Sequence, residues 1–294
     1  LLIFILGLFI LENFSRKKAQ YHTPTKSGLR KRKPINLTGK KSFLAFFFCA
    51  LVFFVSFLFP TLQMLYWTIS FPKHFVDLNL IKLFSNTILL VFLSSFFLIS
   101  LSLISNYGNR VTGSKLLNTL TTFSISGYAI PGIILAVAFI TFISWFDNNF
   151  ISFFGLKTIK SIFIGSVLGL ILVYFIRFYS LASNGIKSGY LKINYSIDES
   201  AYLLGYSKFK TFSNIHIPYL KDSMLLVGIL IAIEVIKELP ITLIMRPFNF
   251  ETFATTAYIF ASQDLLEAAA APSLFLIVIA SFFILITSRF ILKD

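Results

Sequence analysis

The chain has 294 residues, of which 56% are hydrophobic and only 13% are charged, and its mean hydropathy is +0.83. A soluble domain is about one quarter charged, so this composition excludes an ordinary soluble protein and favours an integral membrane protein. The net charge of +14 does not indicate nucleic-acid binding, because ten of the 26 Lys and Arg residues fall in residues 16–41, beside an apolar segment. We predict an all-α polytopic bundle without a nucleic-acid partner.

The first 42 residues predict two different segments. Residues 1–11 form an apolar run that is too short to cross a bilayer, and the positive charges follow it, whereas in a signal peptide they precede the apolar run. We interpret 1–11 as the end of a truncated transmembrane helix and the chain as the C-terminal part of a longer protein. Residues 12–42 are basic and contain Thr, Pro, Ser and Gly, which predicts a cytoplasmic linker that contacts membrane lipid.

Six apolar runs of about 20 residues predict six transmembrane spans. They lie at about 43–69, 86–105, 123–146, 159–180, 222–245 and 271–291. If 12–42 is cytoplasmic, the segments on that side, with the flanking Arg177 and Arg289, hold 20 of the 26 Lys and Arg residues, against five on the opposite side. This bias follows the positive-inside rule and places the loop 181–221 in the cytoplasm.

The first half of the loop 181–221 has the pattern of a capped helix. Ser196 and Glu199 fit a capping box, with Ser196 as the N-cap and Glu199 three residues later. Asp198 adds a second carboxylate to the first turn, where it complements the helix dipole. We therefore predict a helix that begins at Ser196.

The second half of the loop predicts a turn and another short helix. Gly205 is placed to end the first helix in the left-handed conformation, and the second helix is expected from Ser207 to about His216, limited by Pro218. The small side chain of Ala201 would allow another surface to approach closely. The pattern predicts a stiff helical finger that offers a contact to a soluble partner; the alternative is an ordinary helical loop with good caps.

The same loop carries a resemblance. The segment 199–201 (Glu-Ser-Ala), followed by Gly205 and by 215–218 (Ile-His-Ile-Pro), resembles the Glu-Ala-Ala…Gly…Ile-x-Leu-Pro (EAA) loop of ABC importer permeases, with Ser200 in place of Ala and Ile217 in place of Leu. The resemblance implies that the loop docks into a cleft of a cytoplasmic ABC ATPase dimer. The ATPase-coupling residues would then be Ser196, Asp198, Glu199, Ser200, Ala201, Gly205, Ile215 and Pro218.

A later segment, 234–248, resembles one subgroup of ABC importer permeases. It contains Lys-Glu-Leu-Pro and then Arg-Pro-Phe, and it is similar to the permeases of ferric-iron importers, in which two permease units are often fused through a basic linker. The resemblance implies a six-span permease domain at 43–291, a missing first permease half and a periplasmic or surface substrate-binding protein. It also implies a location in the bacterial cytoplasmic (inner) membrane. The chain would be a transport subunit and not an enzyme; it would bind no cofactor, and ATP would be hydrolysed on the partner subunit.

Three charged residues lie within the predicted span 222–245. Glu234, Lys237 and Glu238 are spaced by three and four residues, which places them on one face of a helix. A charge at the centre of a membrane helix costs roughly 2.5–3.5 kcal/mol, so such residues usually face a cavity or one another. We predict that they line the translocation path, with a kink at Pro240; the alternative is a salt-bridged cluster that only fixes helix packing.

The sequence indicates no metal cluster and no nucleotide site. The single cysteine and the three histidines are too far apart in sequence to indicate a metal cluster. The segment 108–115 looks like a P-loop, but Ser and Lys are reversed and no strand precedes it, so the chain itself is not expected to bind ATP.

Residues 250–271 are too polar to span a membrane. Ala254, Ala257, Tyr258, Ala261 and Leu265 recur at helical spacing, which predicts an amphipathic helix on the outer side. This helix would form the mouth of the path or contact a donor protein, or it would merely pack on the outer surface.

The resemblance leaves two alternatives open. Within the same class, the substrate could be thiamine, a polyamine or an oxyanion. From a different class, the chain could be an ion-gradient-driven secondary transporter, with the charged face of 222–245 as a proton or sodium relay.

Overall fold

The computed structural model describes residues 37–73, 78–153 and 162–291. The predicted helix end 1–11 and most of the predicted linker 12–42 lie outside the described residues. The chain divides into two compact units, Leu1–Gln63 and Met64–Asp294. All regular elements in the described ranges are helical, as the composition predicts.

The helices follow one another with short connections. In chain order they are α1 (Lys40–Ser70), α2 (Leu80–Thr112), α3 (Lys115–Ile125), α4 (Gly132–Phe153), α5 (Val167–Tyr190), α6 (Tyr195–Leu203), α7 (Lys208–Thr211), α8 (Ile217–Ile236), α9 (Pro240–Met245), α10 (Phe253–Ser262) and α11 (Leu266–Ile291). A π-helical turn interrupts α1 at Phe54–Leu58, a 3-10 turn follows α3 at Ser126–Ala129, and a second π turn, Phe212–His216, joins α7 to α8.

Five helices in the described ranges are long and apolar enough to cross a membrane, namely α1, α2, α4, α5 and α11. The predicted polytopic all-α membrane bundle is therefore confirmed. The predicted span 159–180 lies further along the chain, at 167–190. The predicted span 222–245 corresponds mainly to α8, which has 20 residues but carries Lys221, Asp222 and Glu234 and is not among the five.

Two of the predicted spans are wrong as continuous helices. The span 123–146 is interrupted where Ile130 adopts an extended conformation, because the residue before a proline, here Pro131, is disfavoured in the helical region. The span 222–245, for which a kink at Pro240 was predicted, is interrupted completely between Ile236 and Pro240, since proline has no N–H with which to continue the helical ladder. Arg177, which was counted with the cytoplasmic residues, lies within α5.

The core of the Met64–Asp294 unit surrounds α5, which packs against α2 and α8. Tyr174 and Phe178 of α5 are completely buried, together with Leu98 of α2 and Ile231 of α8. Because these large side chains come from three helices, their packing fixes the relative positions of the three.

Two glycines allow α5 and α8 to approach closely. A Cβ atom at Gly185 would lie 2.3 Å from Cγ2 of Val227, and one at Gly189 would lie 2.5 Å from Oγ of Ser223. Small residues four positions apart are typical of closely packed helix pairs in membranes.

The predicted amphipathic helix 250–271 is shorter than expected, and of the five residues named for it only Ala254 is buried. The helix α10 begins after a capping box formed by Thr252 and Thr255, and α11 begins at Leu266. The buried residues of α10 are Phe253, Ala254, Thr255 and Thr256, whereas Tyr258, Ala261 and Leu265 are exposed. The prediction of the buried face was wrong because α10 packs on α11 and α2 mainly through its first turns, so burial depends on position along the helix.

Candidate functional site

The connection between α5 and α8 is the predicted coupling loop, and it is shorter than predicted, at residues 191–216 (hereafter the 191–216 loop). Its first helix, α6, is capped by Asn194, whose side chain accepts a hydrogen bond from the amide of Ser196 at 3.3 Å. The prediction of Ser196 as the N-cap was therefore wrong. Asn caps helices as well as Ser does and lies two residues earlier, so Glu199 falls too far into the helix to complete a capping box.

The turn between the two loop helices is built as predicted. Gly205 has φ +81°, its amide donates to the carbonyl of Tyr202 at 3.0 Å, and the amide of Tyr206 donates to the carbonyl of Ala201 at 3.0 Å. This is the Schellman arrangement that ends a helix at a left-handed glycine. Ser207 then caps α7, since its side chain accepts a hydrogen bond from the amide of Lys210.

The predicted end of the second helix at Pro218 was wrong. The helical path runs without a break from Lys208 to Ile236, and Pro218 is the second residue of α8. The π turn Phe212–His216 precedes the proline. Because a π turn is wider than an α-helical turn, the helix can continue through Pro218 although proline has no N–H for the hydrogen-bond ladder. As a result, the 191–216 loop leads directly into α8.

Asp198 is the centre of a buried charge cluster. Its Oδ2 lies 2.7 Å from Nε of Arg110, and its Oδ1 lies 2.6 Å from Nε2 of His216. The side chains of Arg110 and His216 are 7% and 0% exposed, and that of Asp198 is 12% exposed. Asp198 was predicted as a coupling residue that complements the helix dipole, and the coupling role stays a prediction; its contacts attach α6 to the end of α2 and to the π turn.

Further contacts of α2 fix the same loop. Nη2 of Arg110 donates to the carbonyl of Asn194 at 3.1 Å, and its guanidinium lies 4.2 Å from the ring centre of Tyr195. The hydroxyl of Tyr107 donates to the carbonyl of Lys208 at 2.6 Å. Both ends of the 191–216 loop are therefore bound to the last turns of α2.

His216 is held neutral by its surroundings. Burial lowers the pKa of His216 below its usual value of 6.5, although the carboxylate of Asp198 acts in the opposite direction. In the described part of the chain, Nδ1 of His216 is buried and has no hydrogen-bond partner. A second proton there would lack an acceptor, so the neutral ring with its proton on Nε2, donated to Asp198, fits the site.

The opposite face of the 191–216 loop is exposed. Glu199 and Ser200 face outward, and Leu203, Leu204 and Phe209 are 89%, 78% and 77% exposed. The sequence patterns did not identify these three apolar residues, because the loop contains other apolar residues, such as Ile193 and Phe212, that are buried or partly buried. The three exposed residues flank the turn and form a patch of the kind that marks a protein-binding surface.

The remaining predicted coupling residues divide between the two faces. Ala201 is only 3% exposed, so its small side chain packs within this chain and does not offer a surface to a partner. Ile215 is partly buried, whereas Ser196 and Pro218 are exposed.

The three charged residues of the predicted path form two separate pairs. Nζ of Lys237 lies 2.8 Å from Oε1 of Glu234, and these side chains are 61% and 22% exposed. Oε2 of Glu238 lies 3.3 Å from Nε of Arg177, and the side chain of Glu238 is 7% exposed. The prediction of one shared helix face was wrong because α8 ends at Ile236, before Glu238.

The pair of Arg177 and Glu238 connects three segments. Nη1 of Arg177 donates to the carbonyl of Ile130 at 2.9 Å, and Oε1 of Glu238 accepts from the amide of Ile241 at 3.3 Å. A Cβ atom on Gly132 would lie 3.1 Å from Oε1 of Glu238, so a glycine there keeps the start of α4 close to the pair. The sequence did indicate that Arg177 has a partner, because an arginine within an apolar membrane segment is usually paired.

A second buried carboxylate was also missed. Asp147 of α4 is 1% exposed, and its two oxygens accept hydrogen bonds from the amides of Ile162, Phe163 and Ile164 at 3.1–3.3 Å. These bonds fix the turn that leads into α5. Among the described residues, no group of three or more His, Cys, Asp or Glu side chains is arranged to hold a metal ion.

Comparison with known proteins identifies the fold. No protein-family model matches the chain, and no curated protein matches it. A chain of the crystal structure of a bacterial alginate ABC transporter, in complex with an alginate pentasaccharide-bound periplasmic protein, matches with a TM-score of 0.64 and 17% identity. The match covers 84% of this chain and 93% of that chain.

A second structure agrees. A chain of a bacterial ABC transporter involved in the import of the acidic polysaccharide alginate matches with a TM-score of 0.62 and 19% identity, over 84% of this chain and 94% of that chain. The chain has the fold of these two ABC transporter chains. At these identities the likeness concerns the fold alone, and neither structure bears on the expectation of ferric iron.

Proposed function

We propose that this chain is a permease subunit of a binding-protein-dependent ABC importer and that its 191–216 loop docks on a cytoplasmic ABC ATPase dimer. The observation that carries the proposal is that one face of this loop is bound within the chain and the other face is exposed. Its inner face is tied to α2 through Asp198 and Arg110, and its outer face presents Leu203, Leu204 and Phe209. The fold of the matched alginate transporter chains supports the same function.

The inner face gives the loop the stiffness that coupling requires. A partner that moves α6 must also move the end of α2, because Asp198 is held on both oxygens and Arg110 contacts the loop backbone. A movement of the π turn passes directly into α8, since no break separates them. A loop with free side chains would absorb such a displacement within itself.

The outer face has the composition of a docking site. A few side chains that become fully buried carry most of the affinity at protein interfaces, and charges around them favour the correct orientation. Here Leu204 and Phe209 would enter an apolar cleft, and the exposed Glu199 would meet a basic residue at its rim. We propose no nucleotide site on this chain; ATP would bind to the partner.

For the substrate, we propose ferric iron delivered by a periplasmic or surface binding protein, with a second permease half completing the pathway across the inner membrane. The similarity of 234–248 to ferric-iron permeases supports this choice. The pair of Glu234 and Lys237, which is the more exposed of the two charge pairs, is the better candidate for lining the path. The buried pair of Glu238 and Arg177 would set the geometry of the break that precedes Pro240.

Site-directed cross-linking tests the docking. Cys49 is the only cysteine in the chain, so a Cys49→Ser background allows single cysteines to be introduced. In the assembled complex, Phe209→Cys should cross-link to the ATPase subunit. Phe248→Cys is the matched control, because Phe248 is also a fully exposed aromatic residue but lies between α9 and α10. A cross-link to the ATPase from position 248 and none from 209 would refute the docking proposal.

Uptake measurements test the energy source and the substrate separately. Membrane vesicles that contain the complete transporter should accumulate ⁵⁵Fe(III) from the loaded binding protein only when ATP is supplied inside. Accumulation driven by an ion gradient without ATP would favour the secondary transporter. ATP-dependent uptake of another solute, such as an acidic polysaccharide or thiamine, would reject iron and retain the permease.

A further inference from the structure

Two cavities lie between the same three helices, α2, α3 and α5. The first has a volume of about 530 Å³, and most of its lining residues have polar side chains; those on the three helices include Asn106, Asn118, Thr122 and Lys187. The second has a volume of about 460 Å³ and is mainly apolar; its lining includes Leu101, Phe123, Phe175, Ile176 and Tyr179. Neither cavity includes the pairs assigned above to the translocation path.

The two cavities follow each other along the helices. On α5 the apolar cavity is lined at 175–179 and the polar one at 183–190, and on α2 the corresponding positions are 101 and 106–110. Tyr179 lines the apolar cavity, and its hydroxyl donates a hydrogen bond to Ser105 at 2.7 Å. Ser105 is adjacent in sequence to Asn106, which lines the polar cavity. From 175 to 187 the helix rises about 18 Å at 1.5 Å per residue. The lining therefore changes from mainly apolar to rich in polar side chains along these helices, and we refer to the two cavities together as the crevice.

The polar end has a positive charge balance. Its lining includes Arg110, Lys187 and Lys192, and none of the described residues that line it carries a carboxylate. Arg110 is engaged by Asp198 and by backbone carbonyls, whereas Lys187 and Lys192 are exposed. The two lysines lie where α5 ends and the 191–216 loop begins, at the polar boundary of a predicted membrane span.

We propose that this crevice binds one anionic phospholipid, with the phosphate group at Lys187 and Lys192 and an acyl chain along Phe175 and Ile176. Charge complementarity and the change from polar to apolar lining along one crevice select this occupant. Basic pockets between membrane helices are suited to the head groups of anionic lipids, and each lysine near such a surface contributes appreciably to binding. A soluble phosphate compound would leave the apolar end unoccupied.

The lipid would also contact the 191–216 loop. Asn194 and Tyr195, the N-cap and the first residue of α6, line the polar cavity together with the lysines. The head group would therefore lie between the end of α5 and the start of α6. This inference concerns lipid binding, and it can succeed or fail whether or not the chain is an ABC permease.

Native mass spectrometry of the full-length protein, purified in detergent and titrated with phosphatidylglycerol or cardiolipin, tests the head-group end. The double variant Lys187→Gln and Lys192→Gln should bind these lipids about 25-fold more weakly, which is about fivefold per lysine. The matched control is Lys115→Gln with Lys221→Gln, which removes the same charge from residues that do not line the crevice; its binding should be unchanged. Equal losses in both double variants, or none in either, would overturn the proposal.

A second variant tests the acyl-chain end. Ser124 lines the apolar cavity and is exposed, so Ser124→Trp should fill the cavity without disturbing the core and weaken lipid binding severalfold. Glycerol 1-phosphate, which carries the phosphate without the acyl chains, should not displace the bound lipid. Displacement by glycerol 1-phosphate at similar concentrations would assign the site to a soluble phosphate. Unchanged lipid binding by Ser124→Trp would refute the placement of an acyl chain in the apolar cavity, and with it the proposed lipid site.

Discussion

Replacement of Asp198 by alanine removes the residue that holds both halves of the 191–216 loop. Arg110 would then remain 7% exposed with no carboxylate on its Nε, and Nε2 of His216 would lose its acceptor. Breaking a buried ion pair by removing one partner destabilises proteins by about 3–5 kcal/mol, because the other charge stays buried and unpaired. Since both side chains are almost completely shielded from water, screening by solvent should reduce this effect little.

The lower end of that range gives a measurable shift. A loss of about 3 kcal/mol lowers the melting temperature of a unit of 150–250 residues by about 6–12 °C. We expect Asp198→Ala to melt earlier by this amount and to expose α6 and α7 to hydrogen exchange. Glu199→Gln is the matched control: the neighbouring carboxylate is exposed, so its loss should leave the melting temperature within about 1 °C while it weakens binding of the ATPase.

A double-mutant cycle separates the ion pair from other effects. Arg110→Met combined with Asp198→Ala removes both charges, so the double variant should be more stable than the sum of the two single losses predicts. If Asp198→Ala melted like the unmodified protein, or if the losses of the two single variants were simply additive, the charge cluster would not be what fixes the loop.

Three other perturbations have defined outcomes. Because burial lowers the pKa of His216 below 6.5, the unfolded chain binds the proton more readily; stability should be constant above pH 6.5 and fall as the pH decreases below it, and thermal melting of His216→Gln should lack this slope. Gly189→Ala places a Cβ against α8 and should cost about 1–3 kcal/mol in chemical unfolding, whereas Gly228→Ala meets only an ordinary contact at 3.4 Å and should be near neutral. Gly205→Ala forces a left-handed alanine and should destabilise α6 by about 1–2 kcal/mol, measured by hydrogen exchange.

Local sequence patterns predicted the parts of the loop that depend on local chemistry. Gly205 ends α6 because only a residue that tolerates positive φ fits that position, and Ser207 begins α7 because its hydroxyl caps the next turn. The start of α6 was missed because Asn194 and Ser196 are both good caps, and the sequence alone does not choose between them. The choice follows from Arg110, which binds the carbonyl of Asn194 from another helix.

Long-range pairs could not be predicted from local patterns. Asp198 and Arg110 are 88 residues apart, and a carboxylate in a first helical turn has a sufficient local explanation in the helix dipole. Similarly, Glu238 and Lys237 are adjacent in sequence and were treated as one face, but the break before Pro240 turns Glu238 towards Arg177. In both cases a residue of a distant helix decides the role of the side chain.

A single helix, α8, connects the two charged regions of the molecule. It begins at the π turn that holds His216 and ends 20 residues later at the break that carries Lys237 and Glu238, a length of about 30 Å. Its middle is packed too closely against Gly185 of α5 to bend freely. A displacement of the 191–216 loop must therefore reach the break as a movement of the whole of α8. No helical hydrogen-bond ladder spans the residues between Ile236 and Pro240. The movement of α8 can therefore change the pairing of Glu234 with Lys237 at this break. On the proposed function, this is how docking of the ATPase at one end would alter the path at the other.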